Sequence, residues 1–152
     1  IEDWLLPYLT GVKNLRDLQA LDMNNILMAP LDWPQQQALK DVAPEFFVVP
    51  SGAAGKIDYC QSPPVLAVKL QEMFGCQDTP TIANGRQALT VHLLSPARRP
   101  LQVTQDLAGF WRGSYQDVKK EMKGRYPKHR WPEEPWTEAP SLKTRNAFDR
   151  SR

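Results

Sequence analysis

Between Gly124 and Pro140 this chain places prolines at 127, 132, 135 and 140, with at most four residues between one and the next. Each proline fixes φ at about −65° and has no N–H to give, so the segment can form neither a helix nor a central strand. Extended, polyproline-like backbone is what remains open to it. The same stretch is basic and aromatic: "RYPKHRWPEEPW", Arg125 to Trp136, interleaves Arg125, Lys128 and Arg130 with Tyr126, Trp131 and Trp136. Stiff backbone loses little entropy on being held, so such a segment suits either gripping a partner or strapping itself across a larger body.

What precedes it has the composition of an ordinary globular chain, with 41% hydrophobic and 24% charged residues in 152. That length predicts one domain, taken here as 1–124, followed by a tail over 125–152 whose last dozen residues are expected to be disordered. Ile1, Trp4, Leu5, Tyr8, Leu9 and Val12 recur with helical spacing, limited by Pro7 and stopped near Gly11. Asp22 can cap a second helix burying Met23, Ile26, Leu27 and Leu31, which Pro30 shortens. Asp32, with Gln35 three residues on, reads as a capping box, and Pro34 sits in the first turn.

The texture then changes to strands. Phe46 to Val49, a Pro-Ser-Gly turn and a run through Ile57 and Tyr59 alternate like a hairpin. "VLAVKLQEMFG" opens with strand formers, but Leu66, Leu70, Met73 and Phe74 fit a helix ending at Gly75. Asn84-Gly85 is a hairpin signal ahead of an apolar strand from Leu89 to Leu94, and "PLQVT" reads as one more. Thr104 is the expected cap of a long helix with Leu107, Trp111, Tyr115, Val118 and Met122 on one face. Arg112, Gln116, Lys119 and Lys123 share another face, and Gly109 and Gly113 threaten to split the helix. The class is therefore α+β: N-terminal helices, a small and mostly antiparallel sheet for which an OB-like arrangement stays open, a basic C-terminal helix and a Pro-rich extended tail.

Net charge is only +2, yet from Arg98 to Arg130 nine Lys or Arg face three acids, a local +6 balanced by −4 elsewhere. "SGAAGK" is a turn and not a phosphate loop, since two residues separate Gly52 from Gly55-Lys56 where four are needed and Ile57 follows. Cys60 and Cys76 form no CxxC and are expected to be small buried hydrophobes in a reducing compartment, at a spacing that does not favour zinc. His92 reads as a core or edge histidine, and His129, flanked by Lys128 and Arg130, as a surface contact with a depressed pKa. No GxSxG or HExxH pattern occurs, and no catalytic site is expected. No apolar run approaches the ~20 residues of a membrane-spanning helix, so no membrane partner is expected. Two readings of the basic aromatic segment remain: cations on phosphates with rings under bases, as in single-stranded nucleic-acid binding, or Tyr126, Trp131 and Trp136 tucked into their own domain or a neighbour.

Three strings, "PVLAVKLQEMFG", "LTVHLLSPARRPLQVTQDLAGFW" and "YQDVKKEMKGRYPKHRWPEEP", together with "WLLPYLTGV" and "VPSG", resemble the C-terminal region of the HrpB-type bacterial DEAH-box ATP-dependent RNA helicases. The likeness covers nearly the whole chain. It implies a cytoplasmic parent whose motor domains hydrolyse ATP with Mg, and an accessory domain here with no cofactor, no Walker lysine and no Asp-Glu-Ala-His of its own. The expected partners are then the motor and accessory domains of the same chain, single-stranded RNA and an unidentified protein. Arg98, Arg99, Arg112, Lys119, Lys123, Arg125, Tyr126, Lys128, Arg130 and Trp131 are the residues expected to meet RNA, with an interdomain docking module that regulates the helicase core as the alternative.

Overall fold

The computed structural model describes residues 2–140 together with 143 and 147, and the disorder expected of the last dozen residues falls mainly on positions outside that set. The chain divides into two compact units, one up to Asp41 and one from Val42.

The first unit is built of short helices punctuated by side-chain caps. Helix α1, Glu2–Leu5, passes at once into a 3-10 turn, Leu6–Leu9. Pro7 is the cause, because it supplies no N–H to an α-helical ladder, and Gly11 turns the chain at φ +93°. Helix α2, Leu15–Gln19, starts where the Asn14 side chain accepts the Asp17 N–H. Helix α3, Met23–Met28, starts where Asp22 accepts the Asn25 N–H. Helix α4, Trp33–Val42, carries the expected capping box in full: Gln35 N–H to Asp32 Oδ1 at 2.8 Å and Asp32 N–H to Gln35 Oε1 at 3.0 Å. Caps satisfy ends but do not make a core. Among the described residues of this unit Ile26 alone is buried, while Trp33 is 71% exposed and Leu15 68%.

The second unit contains the sheet. Strands β1 Phe46–Val48, β2 Ala54–Asp58 and β3 Val65–Lys69 run antiparallel in sequence. Strands β4 Thr81–Ile82 and β5 Gln87–Ala88 make a separate small hairpin across Asn84-Gly85. Strands β6 Thr90–Leu94 and β7 Pro100–Thr104 complete an open five-stranded sheet of order β1-β2-β3-β6-β7, in which β3 and β6 are parallel. Helix α5, Leu107–Arg112, and helix α6, Tyr115–Arg125, follow.

One face of the sheet makes the core. Ile57 pairs with Leu66 and Leu66 with Val91, and the neighbouring rung puts Val68 against Leu93. Leu107, Phe110, Trp111 and Tyr115 pack onto the same cluster, Trp111 with its ring centroid 5.4 Å from that of Tyr115 at 76°. Gly55 is required here, since an added Cβ would lie 2.7 Å from Leu66 Cδ1.

Three expectations change. The second half of "VLAVKLQEMFG" is not an α-helix but one 3-10 turn, Leu70–Met73, pinned where Glu72 accepts the Lys69 N–H at 2.9 Å. The cap of α5 is Asp106, which accepts the Gly109 N–H at 2.8 Å, while Thr104 only braces Asp106. Gly109 permits this, because a Cβ there would sit 2.2 Å from the Asp106 carboxylate. The helix does split, at Gly113. Cys60 is exposed rather than buried, because it lies just beyond the end of β2; Cys76 is half-buried, and burial pushes its thiol pKa up. Among the described residues no helix is long and apolar enough to cross a membrane, and no group of three or more His, Cys, Asp or Glu could hold a metal ion.

Candidate nucleic-acid interface

After α6 the chain turns back across its own domain. The prolines explain how it is held: a segment poor in N–H groups offers carbonyl oxygens, and the body supplies donors. Tyr115 donates its hydroxyl to the Pro132 carbonyl at 2.9 Å, Gln71 its amide to the Arg130 carbonyl at 3.2 Å, and Gly75 its N–H to the Pro135 carbonyl at 2.8 Å. Tyr115 and Gln71 are themselves buried, so these bonds satisfy groups that would otherwise be orphaned. Trp131 and Trp136 pack against the hydrophobic core, and the Trp131 indole N–H donates to the Tyr126 carbonyl at 3.0 Å. The rings that the sequence offered to bases are seated on protein.

The cations of the segment divide into two groups. Lys119 is nearly buried and ion-paired with Glu133, whose carboxyl pKa is held low first by the hydrogen bond from Lys119 and then by its charge. Arg130, with a side chain 16% exposed, is ion-paired with Glu138. Arg125 pairs with Glu121 one helical turn away at 3.1 Å on the surface. By contrast Arg98, Arg99, Arg112, Lys123 and Lys128 are exposed. Arg98 and Arg99 sit in the β6–β7 turn, Arg112 ends α5 beside Trp136 in a cavity of about 390 Å³, and Lys123 lies on α6. Tyr126 is half-buried, edge-on to His129 with ring centroids 6.2 Å apart. The His129 pKa is lowered first by burial and then by Lys69, a neighbour from β3 rather than Lys128 or Arg130. The Tyr115 hydroxyl pKa is pushed well up by burial, with Glu133 and Glu138 adding to it.

A second basic surface lies on the sheet face turned away from the core. Phe46 and Lys56 are directly paired across β1 and β2, and Ala67 pairs with His92 and His92 with Val103 on the same side. Phe46, Lys56, Ala67, Lys69, Leu94 and Arg98 line a trough of about 420 Å³ at this face, and the acid Glu72 also stands in its wall. Of these only Arg98 was expected from sequence. The signal for Lys56 was present in the alternation of β2, and Lys69 closes the strand formers of "VLAVK", but neither stands among the cations expected from sequence.

A family model described as "ATP-dependent helicase C-terminal" matches residues 4–135. The chain is 52% identical over 146 residues to the protein named ATP-dependent RNA helicase HrpB of Escherichia coli (strain K12), covering 95% of this chain and 18% of that one. It is similar to the crystal structure of E. coli DExH-box NTPase HrpB with a TM-score of 0.83 at 53% identity, over 91% of this chain and 17% of that one. A crystal structure of Escherichia coli DEAH/RHA helicase HrpB matches with a TM-score of 0.65 at 52% identity, over 86% and 16%. The chain thus spans less than a fifth of the relatives it matches.

Proposed function

Because this chain belongs to the HrpB family of ATP-dependent helicase C-terminal domains, we propose that it is a non-catalytic accessory domain that docks on other domains of the same helicase polypeptide. In this reading ATP and Mg act in the motor domains of the longer cytoplasmic protein. The observation that carries it is the exposed apolar surface of the helical unit: Leu15, Leu27 and Trp33 are each more than half exposed on short helices with one buried residue among them. Helices of five to ten residues do not hold themselves together in water, and large apolar side chains left exposed on them suit an interface. Relatives several times longer supply the protein that such a surface would meet. The test is the full-length helicase carrying Trp33→Glu together with Leu27→Glu. The expected result is faster protease cleavage ahead of this domain and a separate unfolding transition for it. Unchanged cleavage and a single unchanged transition overturn the docking reading.

A second reading, contact with single-stranded RNA, is favoured by the outward cations Arg98, Arg99, Arg112, Lys123 and Lys128. With the tail's rings seated on protein, such contact at the tail is to phosphates, and its signature is binding that weakens steeply with salt.

A further inference from the structure

We infer that the open sheet face is a seat for one strand of RNA, with backbone phosphates on Lys56, Lys69 and Arg98 and one unpaired base on the ring of Phe46. This inference rests on the RNA-contact reading and moves its centre from the tail to the sheet. An antiparallel face turned to solvent ordinarily carries polar side chains. This one carries Phe46, 47% exposed, with Val48 and Val103 exposed and Ala67 and Leu94 in the trough floor. The cations stand around that apolar ground rather than replacing it.

Their placement matches a strand of alternating rings and charges. Phe46 and Lys56 are cross-strand partners, so a base on the ring has its phosphate beside the ammonium. Lys56 and Lys69 lie on the adjacent strands β2 and β3 and face the same side of the sheet, beyond the last paired rung of Ile57 with Leu66. Arg98 comes from the β6–β7 turn, where its φ of +61° is a conformation that glycine would adopt without strain. The turn is fixed by Ser95, whose hydroxyl accepts the Arg99 N–H at 3.0 Å and whose carbonyl accepts the Arg98 N–H at 2.8 Å. A side chain kept at a strained position points to a use for that side chain.

The acids nearby are already engaged. Glu72 accepts the Lys69 N–H, and Glu45 lies 3.8 Å from the Lys56 ammonium in a pair that is about 70% exposed on both sides and readily exchanged for phosphate. A single strand is preferred to a duplex because stacking on Phe46 needs a base face that pairing and stacking have released.

The experiment is fluorescence anisotropy of the 152-residue chain with a labelled oligouridylate over a range of KCl concentrations. Three phosphate contacts predict a log–log salt slope near about −2, and each of Lys56→Gln, Lys69→Gln and Arg98→Gln flattens it by about 0.7. Phe46→Ala weakens binding about tenfold and Phe46→Tyr restores it, with circular dichroism showing that each variant is folded. Binding that ignores these substitutions but falls with Lys123→Gln and Lys128→Gln overturns the sheet site and keeps the RNA reading. No binding at all overturns both. Equal competition by poly-glutamate makes the face a site for acidic protein and overturns the proposal.

Discussion

Lys119 shows how far a residue's neighbours decide its role. On a helical wheel it is one more cation beside Lys123, yet its side chain is 8% exposed and its ammonium meets Glu133, which is 81% exposed. The two ends of the pair are therefore unequal. Lys119→Met leaves Glu133 free to return to water and fills the same channel, so the expected change in stability is below about 1 kcal/mol. Glu133→Gln strands an enclosed ammonium and destabilises the domain more, as urea denaturation will read. The pH dependence has a definite sign. The Glu133 pKa is lowered in the fold, so its stabilising effect is complete above the usual value of 4.5 and disappears as pH falls through the lowered one. Glu133→Gln is expected to flatten that acid limb; an unchanged limb excludes the pair as its source. The cations of this region were legible in the sequence. Their partners were not, because nothing in "EEP" or in Glu138 says which lysine or arginine a folded-back chain will bring near.

At the scale of elements, what was legible is what is local. The capping box at Asp32 and Gln35, the cap at Asp22, the Asn84-Gly85 hairpin and the break at Gly113 each depend on residues a few positions apart. In "VLAVKLQEMFG" the opening strand formers were legible, while the second half was misread as a helix; only the ladders of β3 with β2 and β6, where Leu66 meets Ile57 and Val91, show that Leu66 belongs to the strand and not to a helical stripe with Leu70 and Met73. The seating of the tail is equally non-local, and one glycine tests it. Gly75 lies at φ +83°, donates to the Pro135 carbonyl, and would bring a Cβ to 3.1 Å from the Glu138 carbonyl. Gly75→Ala is expected to cost about 1–2 kcal/mol from its left-handed backbone alone. The displaced tail should also show as faster trypsin cleavage after Lys128. Cleavage at the wild-type rate would mean that the tail is held without this contact.

At the scale of the whole molecule the two units differ in what holds them. The second has a sheet, a tryptophan-centred core and a segment that closes over it; the first has caps and exposed leucines. Hydrogen exchange should report that difference. In the 152-residue chain the amides of α2 and α3 are expected to exchange far faster than those of β3 and β6, and in the full-length helicase to gain protection. Slow exchange of α2 and α3 in the short chain would show that these helices need no other domain. The α+β class and the basic region could be read from one sequence, but the missing core of the first unit could not. Periodicity marks a face as apolar without saying which molecule covers it.

The position of the covering segment matters while the protein is being made. Tyr115 and Gln71 wait for the carbonyls of Pro132 and Arg130, and the core cluster that holds Trp111 waits for the rings of Trp131 and Trp136. At about 5–20 residues per second a ribosome needs on the order of a few seconds to add them. During that interval the nascent domain presents an unfinished indole-lined surface, the kind of transiently exposed apolar patch that chaperones shield.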